Sequence, residues 1–131
     1  GRWRTVEEPL DLAAALARET APGRAVLVDC LTLWLSNLMH VGRDPRAAGE
    51  GLAAALAAAA GEIWLVSNEV GLGLVPDNPL GRAFRDAQGW LNQRLAALCP
   101  RVVFVAAGLP LALKNERPAP APPFDLSARA P

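Results

Sequence analysis

Ile63-Trp64-Leu65-Val66-Ser67-Asn68-Glu69-Val70-Gly71-Leu72-Gly73-Leu74-Val75-Pro76 is the stretch of sequence that decides the fold. Its first four residues form an unbroken apolar run, which is typical of a strand buried on both faces of a parallel sheet. The run ends in a polar loop that contains two glycines, and a helical pattern over 79–98 follows the loop. In open α/β sheets, ligands bind outside the carboxyl ends of the strands. We therefore expect the loop to lie beside a ligand site.

The sequence on either side of this stretch repeats the alternation of strand and helix. Apolar runs predict strands at 25–29 and 101–107, and periodic apolar positions predict helices over 9–21, 32–41 and 45–60. This alternation predicts an α/β fold in which helices flank a parallel sheet. Residues 1–114 are expected to form this domain, and the proline-rich residues 115–131 are expected to be a disordered tail.

Composition excludes several classes of protein. The chain has 131 residues, 52% of them apolar, which fits one globular domain with a substantial core. Its 13 basic and 13 acidic residues give a net charge of zero, so neither nucleic acid nor an anionic membrane is an expected partner. No apolar run approaches the roughly 18 residues of a membrane span. Two distant cysteines make no zinc pattern. The expected location is the cytoplasm.

Asp29 is the first candidate for chemistry because it closes the predicted strand at 25–29. A carboxylate at the end of a buried strand is the Walker B arrangement, in which it holds Mg²⁺ beside nucleotide phosphates. The alternative is that Asp29 caps the next helix by accepting hydrogen bonds from backbone N–H groups. Spacing alone leaves both roles open, and capping is the commoner of the two.

Further candidates follow the strand at 63–67. Asn68 and Glu69 stand at its carboxyl end, in the position that Asp29 occupies on the earlier strand. Gly71 and Gly73 either let the backbone approach a ligand closely or form a turn that needs positive φ angles. Both uses of glycine are ordinary, so the pattern does not choose between them.

Arg82 and Arg85 lie in the first turns of the helix that follows the loop. Arginine suits bidentate contacts with phosphate or carboxylate, although a solvated helix face is the commoner use of such charges. His40 is the only histidine, and its place near a helix end favours a role as a partner of the helix dipole. No Ser-His-Asp or Cys-His set is present, and GxxxxGK[ST] does not occur in the chain.

Four motifs together resemble the bifunctional adenosylcobinamide kinase / adenosylcobinamide-phosphate guanylyltransferase family of cobalamin biosynthesis. The resemblance covers roughly residues 2–114, and the run from Asn68 to Pro76 with the downstream Asn-Gln-Arg-Leu-Ala is its most specific part. The motifs are Trp3-Arg4-Thr5-Val6-Glu7-Glu8-Pro9; Val28-Asp29-Cys30-Leu31-Thr32 with Asn37; 66–76; and Phe84-Arg85-Asp86 with Gly89 and Asn92-Gln93-Arg94-Leu95-Ala96.

The resemblance implies a RecA-like P-loop fold and two activities. Family members phosphorylate the aminopropanol hydroxyl of adenosylcobinamide with GTP or ATP and Mg²⁺, and then transfer GMP from GTP onto that phosphate through a guanylylated histidine. They assemble as homotrimers. By similarity, Glu7 matches a nucleotide-contacting glutamate, and Asp29 matches the acidic residue after the Walker B strand, where it would serve Mg²⁺.

The chain departs from the family pattern at its start. In the family, the P-loop and the guanylylated histidine lie upstream of the segment that matches Trp3-Arg4-Thr5, so the resemblance assigns no catalytic residue here and His40 does not take the nucleophile role. It also implies that the P-loop strand, missing from this chain, belongs between the strands at 63–67 and 102–107. We expect the C-terminal portion of a longer enzyme, inactive by itself. The alternatives are a non-catalytic assembly or regulatory subunit and an unrelated Walker-type ATPase.

Overall fold

The computed structural model describes residues 3–116, which separate into two compact units between residues 98 and 99. The first unit is an α/β fold, as predicted, and the second contains two strands. Residues 117–131 of the predicted tail lie outside the described residues. The elements of the first unit are α1 (Leu12–Glu19), β1 (Ala25–Val28), α2 (Leu31–His40), α3 (Pro45–Ala58), β2 (Glu62–Leu65), a short 3₁₀ helix (Val70–Leu72) and α4 (Pro79–Leu98); those of the second are β3 (Arg101–Ala106) and β4 (Leu109–Asn115).

β1 and β2 pair in parallel, with Ala25 opposite Glu62 and Val28 opposite Leu65. One face of this pair packs on the core of the unit. On the other face, the register partners Leu27 and Trp64 are 50% and 41% exposed. The expectation that β2 is buried on both faces is therefore wrong for the described residues, since the core lies on one side of the pair.

All four α-helices of the first unit contribute to one hydrophobic core. Leucine dominates this core because its Cβ atom is unbranched, which suits a helix interior, and because its side-chain volume fills the space between helices. Buried Trp34 also donates a hydrogen bond from its indole N–H to the backbone oxygen of Leu10, at 3.0 Å. The core residues are Leu12, Leu16, Val28, Leu31, Trp34, Leu35, Leu38, Leu52, Ala53, Leu91 and Leu95.

Gly61 follows α3 but does not cap it. The alanine-rich sequence before Gly61 predicts a helix that this glycine ends, whereas α3 already ends at Ala58 and its C-cap is Ala59. Gly61 instead leads into β2 with φ of 95°, and a Cβ built there would come within 2.4 Å of the Ala21 oxygen. Glycine is required because the backbone passes so close to another backbone carbonyl.

β3 forms a hairpin with β4, which was not predicted from the sequence. The predicted strand at 101–107 is present, but it pairs antiparallel with β4 in a separate two-stranded sheet. Ala107 and Gly108 have φ angles of 52° and 75°, as a two-residue hairpin turn with positive φ at both positions requires. β4 was not predicted because it contains Pro110, and proline is rare within strands except at sheet edges.

An ion pair joins α3 to α4. Arg94 donates from Nε and Nη2 to the two carboxylate oxygens of Glu50, at 2.8 and 2.9 Å. These hydrogen bonds lower the pKa of Glu50 below its ordinary value of 4.5. A carboxylate with a depressed folded-state pKa stabilises the fold above its unfolded pKa, and this stabilisation is lost as the pH falls through the folded pKa.

We therefore expect Glu50→Gln to flatten the acid limb of the stability profile. The melting temperature of the unsubstituted protein should fall between pH 6 and pH 3 by more than that of Glu50→Gln, because the variant has no carboxylate to protonate at this position. Thermal unfolding followed by circular dichroism across this range measures the difference. Parallel profiles for the two proteins would show that the pair adds nothing to folding, as many exposed ion pairs do.

Candidate functional site

The carboxyl ends of β1 and β2 meet at one edge of the parallel pair. The Val66 N–H donates to the Val28 oxygen, and the Leu31 N–H donates to the Val66 oxygen, each at 2.9 Å. Hydrogen bonding between the two chain segments thus continues past the strands into the residues that follow them. This places residues 29–32 beside residues 66–68, the arrangement that the parallel sheet predicted.

Asp29 lies at this edge with its side chain exposed. It is not the cap of α2, because the N-cap is Cys30, whose sulfur accepts from the Leu33 N–H at 3.5 Å. Within residues 3–116, the Asp29 carboxylate has neither a hydrogen-bond donor nor an ion-pair partner. An exposed carboxylate without a protein partner, at the end of a parallel strand, can accept a ligand or a cation.

Thr32 and Asn68 link the two strand ends directly. The Thr32 hydroxyl oxygen accepts from the Asn68 backbone N–H at 3.0 Å and from the Asn68 side-chain Nδ2 at 3.1 Å. Because α2 begins at Leu31, Thr32 stands in its first turn, three residues after Asp29. The structure therefore brings the predicted residues Asp29 and Asn68 to the same edge through Thr32.

A buried amide supports this edge from α4. Gln88 is 0% exposed, and its Nε2 donates to Ser67 Oγ at 3.0 Å and to Asn92 Oδ1 at 2.9 Å. Ser67 Oγ donates to Asn92 Oδ1 at 2.6 Å, and Asn92 Nδ2 donates to the Asn68 oxygen at 3.1 Å. Gln88 was not predicted from the sequence, although its spacing of four residues from Phe84 places it on the apolar stripe of α4.

Glu69, Gly71 and Arg85 line a cavity of about 600 Å³ on the first unit. The Arg46 guanidinium lies 4.8 Å from the centre of the Trp90 ring in the same cavity wall, a cation–π distance. Asp29 and Asn68 are not among the residues that line it. The predicted residues therefore divide between the strand-end edge and this cavity. The remaining lining residues are Asp86, Gly89 and Gln93.

The two predicted arginines hold the loop between β2 and α4. Arg85 Nη2 donates to the Gly71 oxygen at 2.9 Å, and Arg82 Nη1 donates to the Pro76 oxygen at 3.1 Å. Neither Gly71 nor Gly73 has a positive φ angle. A turn with positive φ angles therefore does not explain why glycine occupies these two positions. Both glycines lie in the loop whose carbonyl groups accept hydrogen bonds from the two arginines.

Glu7 and His40 lie elsewhere in the first unit. Glu7 is exposed in the segment without regular secondary structure before α1, and His40 is exposed in the last turn of α2, where its position suits the helix dipole. A second cavity of about 600 Å³, whose lining includes Glu8, Asp11 and Arg43, contains none of the predicted site residues.

Two further features are absent from residues 3–116. No three cysteine, histidine, aspartate or glutamate side chains in this range converge on a point where they could enclose a metal ion. None of the helices in the same range combines the length and the apolar character that crossing a bilayer requires.

These features define an α/β protein with an acidic group that has no partner among residues 3–116, and with a polar network at the carboxyl ends of its parallel strands, where open α/β sheets bind their ligands. The sequence model of a family described as cobinamide kinase / cobinamide phosphate guanyltransferase matches residues 1–113. The chain belongs to this family.

Individual relatives agree with the family assignment. The bifunctional adenosylcobalamin biosynthesis protein CobP of Pseudomonas aeruginosa is 53% identical over 116 residues, which cover 87% of this chain and 67% of that protein. The proteins named CobU with the same description are 35% identical in Salmonella typhimurium and 34% identical in Escherichia coli, each over 127 residues. Each of these alignments covers 86% of this chain and 70% of the relative.

Proposed function

We propose that this chain supplies nucleotide-binding residues to an adenosylcobinamide kinase and adenosylcobinamide-phosphate guanylyltransferase. The enzyme phosphorylates adenosylcobinamide with a nucleoside triphosphate and then transfers GMP from GTP onto the new phosphate. The observation that carries this proposal is the Asp29 carboxylate at the end of β1, which has no partner among the described residues, in a member of this family. A RecA-like sheet, completed by a P-loop strand next to β2, is part of the same proposal.

The residues at the strand ends fit a magnesium–nucleotide complex. Mg²⁺ is usually bound by one or two carboxylates together with substrate phosphates and water, so a single Asp29 carboxylate suffices from the protein side. Bound Mg²⁺ neutralises negative charge on the transferred phosphoryl group. Asp29 would hold this complex in place, and Glu7 would contact the nucleotide. Positioning and electrostatic stabilisation account for most catalysis of phosphoryl transfer.

The remaining candidates would shape the cleft around the nucleotide and the cobinamide. Asn68 presents polar groups at the strand ends, while Glu69 lines the cavity next to Arg85. The two arginines act on the loop carbonyls, which keeps Gly71 and Gly73 in one conformation beside the cleft. No nucleophile for guanylyl transfer is assigned within residues 1–131. A homotrimer in the cytoplasm is the proposed setting.

The direct test follows labelled phosphate through both reactions. The whole gene product, with any sequence outside residues 1–131, is incubated with adenosylcobinamide, Mg²⁺ and GTP labelled at the γ or the α phosphorus. We expect γ label in adenosylcobinamide phosphate first and α label in the guanylylated product later; ATP labelled at γ identifies the kinase donor. An absence of both products, together with no GTP or ATP binding by calorimetry, would overturn the proposal.

A second function, as a non-catalytic assembly or regulatory subunit, is favoured by one observation. Leu27 and Trp64 expose apolar surface on the open face of the parallel pair, and such a surface suits coverage by further polypeptide. In this case the whole gene product would bind neither GTP nor ATP, and light scattering would give a mass greater than that of one chain. Nucleotide binding with label transfer excludes it.

A further inference from the structure

Gln88 is an unusual residue for the middle of α4. It is completely buried, its Oε1 atom has no hydrogen-bond donor within the described residues, and the other buried residues of α4 are Leu91 and Leu95. A buried carbonyl oxygen without a partner lowers stability, and an apolar residue of the same size would avoid this loss. A buried polar atom of this kind calls for an explanation, and a functional role that costs stability is one such explanation.

A series of hydrogen bonds leads from Gln88 to Thr32, and at each step the residue nearer to Gln88 is the donor. Gln88 donates to Ser67 and Asn92, Asn92 donates to the Asn68 oxygen, and Asn68 donates twice to the Thr32 hydroxyl. A hydroxyl group has two acceptor positions and one hydrogen to donate. Asn68 occupies both acceptor positions of the Thr32 hydroxyl. This hydroxyl can therefore form a further hydrogen bond only by donating its hydrogen.

That hydrogen has no acceptor among residues 3–116. Thr32 is half-buried in the first turn of α2, and the unpaired carboxylate of Asp29 stands three residues before it. The edge therefore offers one acceptor, suited to a cation, and one hydroxyl that is restricted to donating. A phosphate group carried by a divalent cation needs this pair of functions, because its oxygens accept hydrogen bonds and its cation needs a carboxylate.

We propose that Thr32 donates a hydrogen bond to a phosphate oxygen of the bound nucleotide and that Gln88 is the positioning residue that fixes Thr32 as a donor. Gln88 acts through Ser67, Asn92 and Asn68, which it holds in a single hydrogen-bonded arrangement. This inference rests on the proposed function, since it assumes that a nucleoside triphosphate binds at the carboxyl ends of β1 and β2.

The Thr32 half of the proposal is tested by removing and restoring the hydroxyl. Thr32→Val should weaken binding of Mg²⁺·GTP to the whole gene product by roughly tenfold to a hundredfold, the range for hydrogen bonds to charged groups. Thr32→Ser should restore it. Ser36→Ala is the matched control, because it removes an exposed hydroxyl one turn along α2 and should leave binding unchanged. Calorimetry gives the dissociation constants.

Inorganic tripolyphosphate separates a contact with phosphate from a contact with the nucleoside. It is used as a competitor of GTP, and Thr32→Val should weaken its binding by the same factor as that of GTP, because the lost hydrogen bond is to phosphate. If GTP affinity falls while tripolyphosphate affinity stays the same, Thr32 contacts the nucleoside and the phosphate assignment is wrong.

The Gln88 half is tested by Gln88→Met, which keeps the volume and removes both polar atoms. We expect a melting temperature that is unchanged or higher, because the unpaired Oε1 disappears, and a Mg²⁺·GTP dissociation constant that rises on the order of tenfold, as for other residues that orient ligand-binding groups. Ser67→Ala, at an exposed position, should shift the dissociation constant in the same direction. A structural role for Gln88 would instead lower the melting temperature and leave the dissociation constant unchanged.

The outcomes separate this inference from the proposed function. If the unsubstituted protein fails to bind Mg²⁺·GTP, the proposed function is wrong and this inference falls with it. A different outcome is that the unsubstituted protein binds Mg²⁺·GTP and that the three variants Thr32→Val, Gln88→Met and Ser67→Ala bind it with the same affinity. The proposed function then stands, and this inference alone is overturned. Weaker binding by Thr32→Val and by Ser67→Ala, with rescue by serine, supports it even where Gln88→Met does not fold.

Discussion

Asp29→Ala is expected to lower the turnover of both the kinase and the guanylyltransferase reactions by roughly 100-fold or more, in line with losses of single groups that act on transition-state charge. The variant should keep its melting temperature. The reason is that the carboxylate has no partner among the described residues, so no native hydrogen bond or ion pair is lost with it. Steady-state rates of the whole gene product with adenosylcobinamide, GTP and Mg²⁺ measure the first effect, and thermal unfolding measures the second.

Asp44→Ala provides a control with the opposite signature. Asp44 is a true helix cap, since its Oδ1 accepts from the Arg46 N–H at 2.9 Å at the start of α3. Its loss should reduce the free energy of unfolding by about 1 kcal/mol and leave both rates unchanged. The pair of variants therefore separates the two roles that the sequence left open for Asp29. Unchanged rates in both assays for Asp29→Ala would remove Asp29 from the site.

Local sequence signals predicted most elements of the first unit because those elements depend on local chemistry. α4 was predicted with the bounds that the structure shows, since its apolar stripe runs for five turns and a proline stands at its start. α2 and α3 differ from prediction by one or two residues at their ends. The hairpin turn at Ala107-Gly108 was missed, because the signal for such turns is strongest for Asn-Gly or Asp-Gly and Pro110 follows closely.

The candidate site was predicted in outline but not in its contacts. Parallel pairing brings the ends of consecutive strands together, so the proximity of Asp29 and Asn68 followed from the fold class. The bonds of Asn68 to Thr32, and of Arg85 to Gly71, depend on how α2 and α4 pack against the strands. Gln88 was missed for the same reason: whether a polar residue on an apolar stripe is buried depends on which elements cover that stripe.

Stability of the first unit is expected to depend strongly on Leu35. This side chain is 0% exposed and belongs to the hydrophobic core to which all four helices of the unit contribute. Leu35→Ala removes buried apolar surface and leaves a cavity, which should reduce the free energy of unfolding by roughly 3 kcal/mol. For a unit of this size the melting temperature should fall by roughly 10–20 °C. Because domains have total stabilities of only about 5–15 kcal/mol, this one change removes a large share.

Leu33→Ala is the matched control, with the same change in residue type on the same helix. Leu33 is 62% exposed, so its truncation removes little buried surface and should alter the free energy of unfolding by less than about 0.5 kcal/mol. Urea denaturation followed by tryptophan fluorescence gives both values, since buried Trp34 lies between the two leucines in sequence and reports on the core. Equal losses for the two variants would mean that the core does not lie on the face of α2 that carries Leu35. The packing that orients Thr32 at the start of the same helix would then be wrong as well, because one rotation of α2 sets both positions.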